Sequence, residues 1–108
     1  MIEKKFRLKK AEVEYLLKKG EEERSKLFII RFKQSEEANS QYATVISRKI
    51  SIKAVERNKI KRHIFESIRT ATQPTSSLKI VLIPKKQIMK ATFEEIQEDI
   101  MSILKKLS

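Results

Sequence analysis

Cysteine is absent from this 108-residue chain, and histidine and aspartate occur once each, as His63 and Asp99. Without cysteine there are no disulfides and no Cys-based zinc sites. One histidine cannot build a histidine metal site, and a Cys–His triad lacks its nucleophile. No stretch approaches the roughly twenty apolar residues that span a bilayer. Residues 1–8 carry basic side chains with no apolar signal-peptide core after them, so a cytoplasmic location without membrane contact is expected. Glycine occurs once and proline twice, which makes each of them a meaningful break in the pattern. Acids are also scarce, 14 against 25 Lys plus Arg, leaving a net charge of +11. A folded chain so far from neutrality repels itself, and such an excess is ordinarily matched by a polyanionic partner.

Enough remains for a core. Hydrophobic residues make up 40% of the sequence and charged residues 36%. A chain of this length reads as one domain, residues 1–108, that hides roughly two-thirds of its unfolded surface. Residues 8–19 place Val13, Leu16 and Leu17 at helical spacing, with Gly20 at the C-cap position. Residues 25–33 alternate as a strand, with Phe28, Ile30 and Phe32 on one face. A polar loop over 34–40 leads to a second strand over 41–49, with room for a break into two. Ile60, Ile64 and Ile68 mark a helix over 53–70. Gln73-Pro-Thr-Ser-Ser77 is a linker, and 78–83 is an apolar strand closed by Pro84. Thr92-Phe-Glu-Glu95 is a capping box opening an amphipathic helix through Phe93, Ile96, Ile100, Ile103, Leu104 and Leu107. The expected order is α-β-β(-β)-α-β-α, an α+β sandwich whose small sheet is covered by helices on one side.

The densest chemistry lies in Lys53-Ala-Val-Glu-Arg-Asn-Lys-Ile-Lys-Arg62, with five cations in ten residues around one asparagine. Lysine and arginine supply fixed charge and donors to phosphate, while an asparagine amide both donates and accepts. At about 100° per residue, Asn58, Arg62 and Arg69 fall along one flank of the apolar arc formed by Ile60, Ile64, Phe65 and Ile68. Arg57 and Lys61 fall inside that arc, where an unpaired buried cation costs several kcal/mol. Either they snorkel past the sheet, or the first turns overhang a groove that receives phosphates. Between Ser47 and Thr70 eight cations face only Glu56 and Glu66, which favours the groove over a salt-bridged structural helix. Ser47-Arg-Lys49 adds Arg48 and Lys49 beside the helix start, with a hydroxyl and amides able to hold phosphate oxygens; a charge-protected edge strand is the alternative. For base stacking, Phe28 and Phe32 favour core packing, leaving Tyr15 and Tyr42 as weak candidates. A self-sufficient nuclease would need clustered acids or histidines, whereas Glu94, Glu95, Glu98 and Asp99 read as a solvated helix face.

The run Val45-Ile-Ser-Arg-Lys-Ile-Ser-Ile-Lys-Ala-Val-Glu-Arg-Asn-Lys-Ile-Lys-Arg62 resembles the signature of the bacterial ribonuclease P protein subunit family. In that family a strand ends in Ser-Lys-Lys and Arg-Asn-Arg-x-Lys-Arg opens a helix. Arg7-Leu-Lys-Lys10, the short helix after it and Lys18-Lys-Gly20 also fit, as do the last strand and helix, so the resemblance spans nearly the whole chain. It implies an α/β sandwich with an unusual left-handed βαβ crossover, the ribosomal protein S5 domain 2-like fold. It further implies a small basic subunit bound to the catalytic ribonuclease P RNA, assisting endonucleolytic removal of the 5′ leader of precursor tRNA. The protein alone would be inactive and would bind no cofactor, with Mg2+ held in the RNA holoenzyme and no DNA partner. The RNA-binding residues implied are Arg57, Asn58, Lys59, Lys61 and Arg62, joined by Arg48, Lys49 and Lys53. Tyr15, Leu17, Phe28 and Arg31 are the candidates for the leader cleft between first helix and sheet. Lys59 replaces a common second arginine, Phe65 a further basic residue, and Val13 and Leu17 frequent phenylalanines; Arg31 falls near a frequent tyrosine. The alternative is another basic RNA-binding protein, such as a ribosomal or assembly factor.

Overall fold

The computed structural model describes residues 4–107, so residues 1–3 of the N-terminal segment considered above lie outside it. Three helices, α1 (Lys10–Lys19), α2 (Ala54–Thr70) and α3 (Phe93–Leu107), combine with strands β1 (Glu21–Arg24), β2 (Phe28–Gln34), β3 (Gln41–Thr44) and β4 (Leu78–Pro84). Short 3-10 segments lie at Lys4–Phe6 and Lys86–Lys90. The strands form one sheet in the order β1-β2-β4-β3. β2 is antiparallel to β1 and to β4, whereas β3 runs parallel to β4, which makes α2 the crossover of a βαβ unit.

Alternation along β2 and β4 produces the two faces of the sheet. Ile30 pairs with Leu82 and Phe32 with Ile80, so these side chains share a face, and Tyr42 joins them through its pairing with Ile80. Against that face pack Ile60, Ile64, Phe65 and Ile68 of α2 and Ile96, Ile100, Ile103 and Leu104 of α3, in a single dry core. The capping box closes as expected: Thr92 N–H donates to Glu95 Oε1 (2.9 Å) and Glu95 N–H to Thr92 Oγ1 (3.1 Å).

Three expectations are corrected. First, the helices do not all lie on one side: α1 touches β2 and β4 on the face opposite the core. There Arg31 Nε donates to the Leu16 carbonyl (3.1 Å) and Lys79 pairs with Glu12. Only Leu16 of α1 is fully buried, so its sequence pattern carries little that would place it. Second, the all-polar Glu21–Arg24 is a strand that apolar alternation does not reveal. It is an edge strand held by main-chain pairing and by Glu22, whose carboxylate meets Arg31 Nη1 across the ladder (3.2 Å). Residues 25–27 are the hairpin turn between β1 and β2 rather than the start of β2.

Third, β3 ends at Thr44 instead of running to residue 49. Val45 N–H still donates to the Leu82 carbonyl (3.1 Å), but the parallel ladder would next require the N–H of Pro84, which proline lacks. The proline that closes one strand thus truncates its neighbour. At the C-terminus of α1, Gly20 N–H donates to the Leu16 carbonyl (2.9 Å). A Cβ at Gly20 would sit 2.7 Å from that same oxygen, so the tight approach accounts for the chain's one glycine.

Candidate nucleic-acid interface

The loop between β3 and α2 is wired by its own serines. Ser47 Oγ accepts from Lys49 N–H and Ser51 Oγ from Lys53 N–H, each at 3.1 Å. The Ser51 hydroxyl in turn donates to the Glu56 carboxylate. Ser47 and the Lys49 amide therefore satisfy one another rather than waiting for phosphate, which narrows the expectation drawn for Ser47-Arg-Lys49 to its two cations. Arg48, Lys49 and Lys53 are exposed at this end of the sheet. No side chain caps the first turn of α2, so unpaired amides and the positive end of the helix dipole add to the same surface.

Along α2 the predicted residues separate into two groups. Asn58, Lys59 and Arg62 are exposed, as the flank position of Asn58 and Arg62 anticipates. Arg57 and Lys61, placed inside the apolar arc, are half-buried. Arg57 Nη1 donates to the Ser51 carbonyl (2.8 Å), pulling its charge toward the loop, and Lys61 Nζ lies 5.9 Å over the Phe65 ring. Both cations escape the core by reaching sideways, and Arg57 braces the loop that carries Arg48 and Lys49. Phe65 itself is core.

Other features carry no sequence signal. Ile52 and Val55 are 83% and 80% exposed, an apolar knuckle among the cations. Beside α2, His63 tilts against Phe93 with ring centroids 5.0 Å apart. Burial pulls the His63 imidazole below its ordinary pKa of 6.5, and Lys59 and Arg62 push it in the same direction. Near the start of β3, Lys4, Lys5, Arg7, Leu8, Lys9 and Gln41 line a second basic hollow of about 680 Å³. That segment is attached to the sheet by the Leu8 N–H, which donates to the Tyr42 carbonyl (3.0 Å).

The cleft candidates fare unevenly. Phe28 is 0% exposed and faces α2 and α3, so it is withdrawn: its ring is core and no single strand reaches it. Tyr42 is withdrawn for the same reason. Its hydroxyl donates to Gln73 Oε1, and burial pushes its pKa up to about 12. Arg31 does lie on the α1 face, with its guanidinium committed to Leu16 and Glu22. Tyr15 and Leu17 are 49% and 39% exposed, with Lys33 Nζ lying 4.6 Å over the Tyr15 ring. They leave α1 about 200° apart, on either side of buried Leu16, so they do not line one wall. Asp99 is also not a solvated acid: its Oδ2 accepts from Ser25 Oγ (2.7 Å) and Leu27 N–H (3.0 Å), fastening α3 to the hairpin turn. Among the described residues no group of three or more His, Cys, Asp or Glu is placed to hold a metal.

Comparison with known proteins agrees with this geometry. The sequence model of the family described as Ribonuclease P matches residues 2–108. The ribonuclease P protein component of Bacillus cereus (strain Q1) is 31% identical, over 97% of this chain and 93% of its own. The Bacillus anthracis protein component is also 31% identical, over 97% of this chain and 90% of its own. Among solved structures, the RNase P protein from Thermotoga maritima superposes with a TM-score of 0.84 at 26% identity, covering 94% of this chain and 97% of that one. At that similarity the chain shares the mixed α+β fold of these proteins, three helices on a four-stranded sheet. The chain therefore belongs to the ribonuclease P protein family, whose members are the protein component of an endoribonuclease of tRNA processing.

Proposed function

We propose that this chain acts as a single RNA-binding domain that steadies the ribonuclease P RNA and helps it remove the 5′ leader of precursor tRNA. The observation that supports this reading is the cationic end of the molecule. There Arg48, Lys49 and Lys53 on the loop and Asn58, Lys59 and Arg62 on α2 stand exposed around an uncapped helix start. Their charges attract the RNA backbone, and releasing its counterions drives binding. Arg57 and Lys61 contribute from the edge of the core, Arg57 by holding the loop in place. On the opposite sheet face, the side of α1 that carries Tyr15, with Lys33 over its ring, is where a leader strand would run.

In this proposal the chemistry belongs to the RNA and its Mg2+ ions, in the bacterial cytoplasm. The described acids do not form a metal-ligand set, and no step is routed through an ion on the protein. The protein's own contribution is positioning: its cations neutralise phosphates that would otherwise demand more magnesium. The alternative, a ribosomal or assembly factor with the same basic face, predicts RNA binding without any effect on leader removal.

The test is cleavage of precursor tRNA by a bacterial ribonuclease P RNA at low magnesium, with and without the protein. The expected result is rescue of cleavage at the leader junction, and no cleavage by the protein alone. Tight RNA binding without rescue of a cognate RNA would overturn the proposal in favour of the alternative.

A further inference from the structure

One side of α2 does more than carry charge. Between α2, the Lys86–Lys90 segment and the start of α3 lies a pocket of about 340 Å³, at the small end of the roughly 300–1,000 Å³ typical of ligand pockets. Its floor is the buried Ile60, Ile88 and Ile96. His63 and Phe93 form a wall through their tilted ring pair, and Met89, 38% exposed, stands at the mouth. Lys59 also lines the pocket, and Arg62 is exposed one helical turn before Glu66 on the same helix.

The chemistry of the lining argues against phosphate as the occupant. Of the four amides at the start of α3, those of Thr92 and Glu95 are taken by the capping box, and the remaining two, of Phe93 and Glu94, lie beside the first-turn acids Glu94 and Glu95. The carboxylate of Glu56, a further lining residue, repels one. What the walls offer instead is an apolar floor, an aromatic face and a polar rim, which suits a flat ring with polar edges. A cation at the rim provides for a phosphate outside while the ring goes in. Aromatic and thioether surfaces are the groups on which bases stack without regard to sequence.

We propose that this pocket receives one unpaired nucleobase of the partner RNA, whose flanking phosphates rest on Lys59 and Arg62. The inference rests on the RNA-binding reading above and adds to it a site for a base, on the core-facing side of the sheet and away from the α1 face.

The full chain is titrated at low salt with five-residue oligouridylate and oligoadenylate, and with an abasic ribose-phosphate strand of equal length. Signals of the Met89, Ile88 and Ile96 methyls and of the His63 ring are followed by NMR. Base-containing strands are expected to move these signals, and the abasic strand only the α2 amides around Lys59 and Arg62. Phe93→Leu, which keeps apolar bulk and removes the ring, is expected to weaken the base-containing strands about tenfold and the abasic strand not at all. Met89→Ala, at an exposed position, gives the same discrimination should Phe93→Leu melt early. Equal effects of all strands on α2, with the pocket signals unmoved, would overturn the pocket while leaving the RNA-binding reading intact. No binding by any strand, together with no rescue of ribonuclease P RNA, would overturn both.

Discussion

The two faces of the sheet are built from the same strands and held by different physics. On one face, alternate residues of β2 and β4 meet α2 and α3 through fully buried aliphatic and aromatic side chains. On the other, the intervening positions include Arg31, Lys33 and Lys79, and α1 is attached through a guanidinium, an ion pair and a cation over a ring. The first face is where folding energy is concentrated, because apolar burial contributes far more per residue than partly solvated ion pairs. The second holds its helix with contacts that water can compete for, and it keeps cations and an aromatic ring within reach of solvent. Stability is thus concentrated on one side of the sheet while the other keeps polar contacts open to water, with the exposed cations of α2 at the sheet's end.

The comparison breaks most visibly at Phe28. Phe28→Ala should cost about 3–5 kcal/mol in urea unfolding, whereas Tyr15→Ala on the α1 face should change it by less than about 0.5 kcal/mol. Equal effects would mean that the two faces are not distinct. Next comes Asp99→Ala, which leaves the Leu27 amide and Ser25 hydroxyl without their acceptor; a loss of about 1–3 kcal/mol is expected in the same measurement. If stability were unchanged, the Asp99 contacts would not be what holds α3 to the hairpin.

A smaller effect sharpens the contrast through pH. The Lys79 hydrogen bond holds the Glu12 carboxyl below its ordinary pKa of 4.5, against the opposing effect of burial. Its folded pKa lies below the unfolded one, so its contribution is fully present above about 4.5 and is lost as pH falls through the lowered folded value. Acid titration should therefore loosen α1 before the apolar face opens, by an amount on the order of 1 kcal/mol or less. Hydrogen exchange of the α1 amides between pH 6 and 3 reads this directly, and Lys79→Met should reduce the pH dependence to what the Lys9 amide bond to Glu12 sustains. Loosening of α2 in step with α1 would count against separate faces.

Much of this was legible because hydrophobic periodicity is strong where burial is complete. Ile60, Ile64 and Ile68, the run from Phe93 to Leu107, and the alternation of Phe28, Ile30 and Phe32 each read correctly as helix or strand. What escaped depends on partners distant in sequence. Glu21–Arg24 becomes a strand only because β2 offers it a ladder, and β3 stops early because Pro84 stands across from it. The placement of α1 on the far face turns on one buried leucine and two polar contacts. At the interface, the exposure of Asn58 and Arg62 followed from helical angle. The role of Arg57 did not, since it depends on the loop between β3 and α2 bringing the Ser51 carbonyl to its guanidinium. Phe28 was a poor cleft candidate for a reason already present in its alternation: it shares a face with Ile30.

The central claim is that the exposed cations of α2 bind RNA and contribute little to the fold. The most direct test measures binding of ribonuclease P RNA across a range of salt concentrations, for the wild type and a Lys59→Ala, Arg62→Ala double variant, alongside thermal melts of both. With two phosphate contacts removed, the log–log salt slope should flatten by about 1.4 to 1.8, with the melting temperature unchanged. An unchanged slope with a lowered melting temperature would contradict the account and make these cations part of the fold.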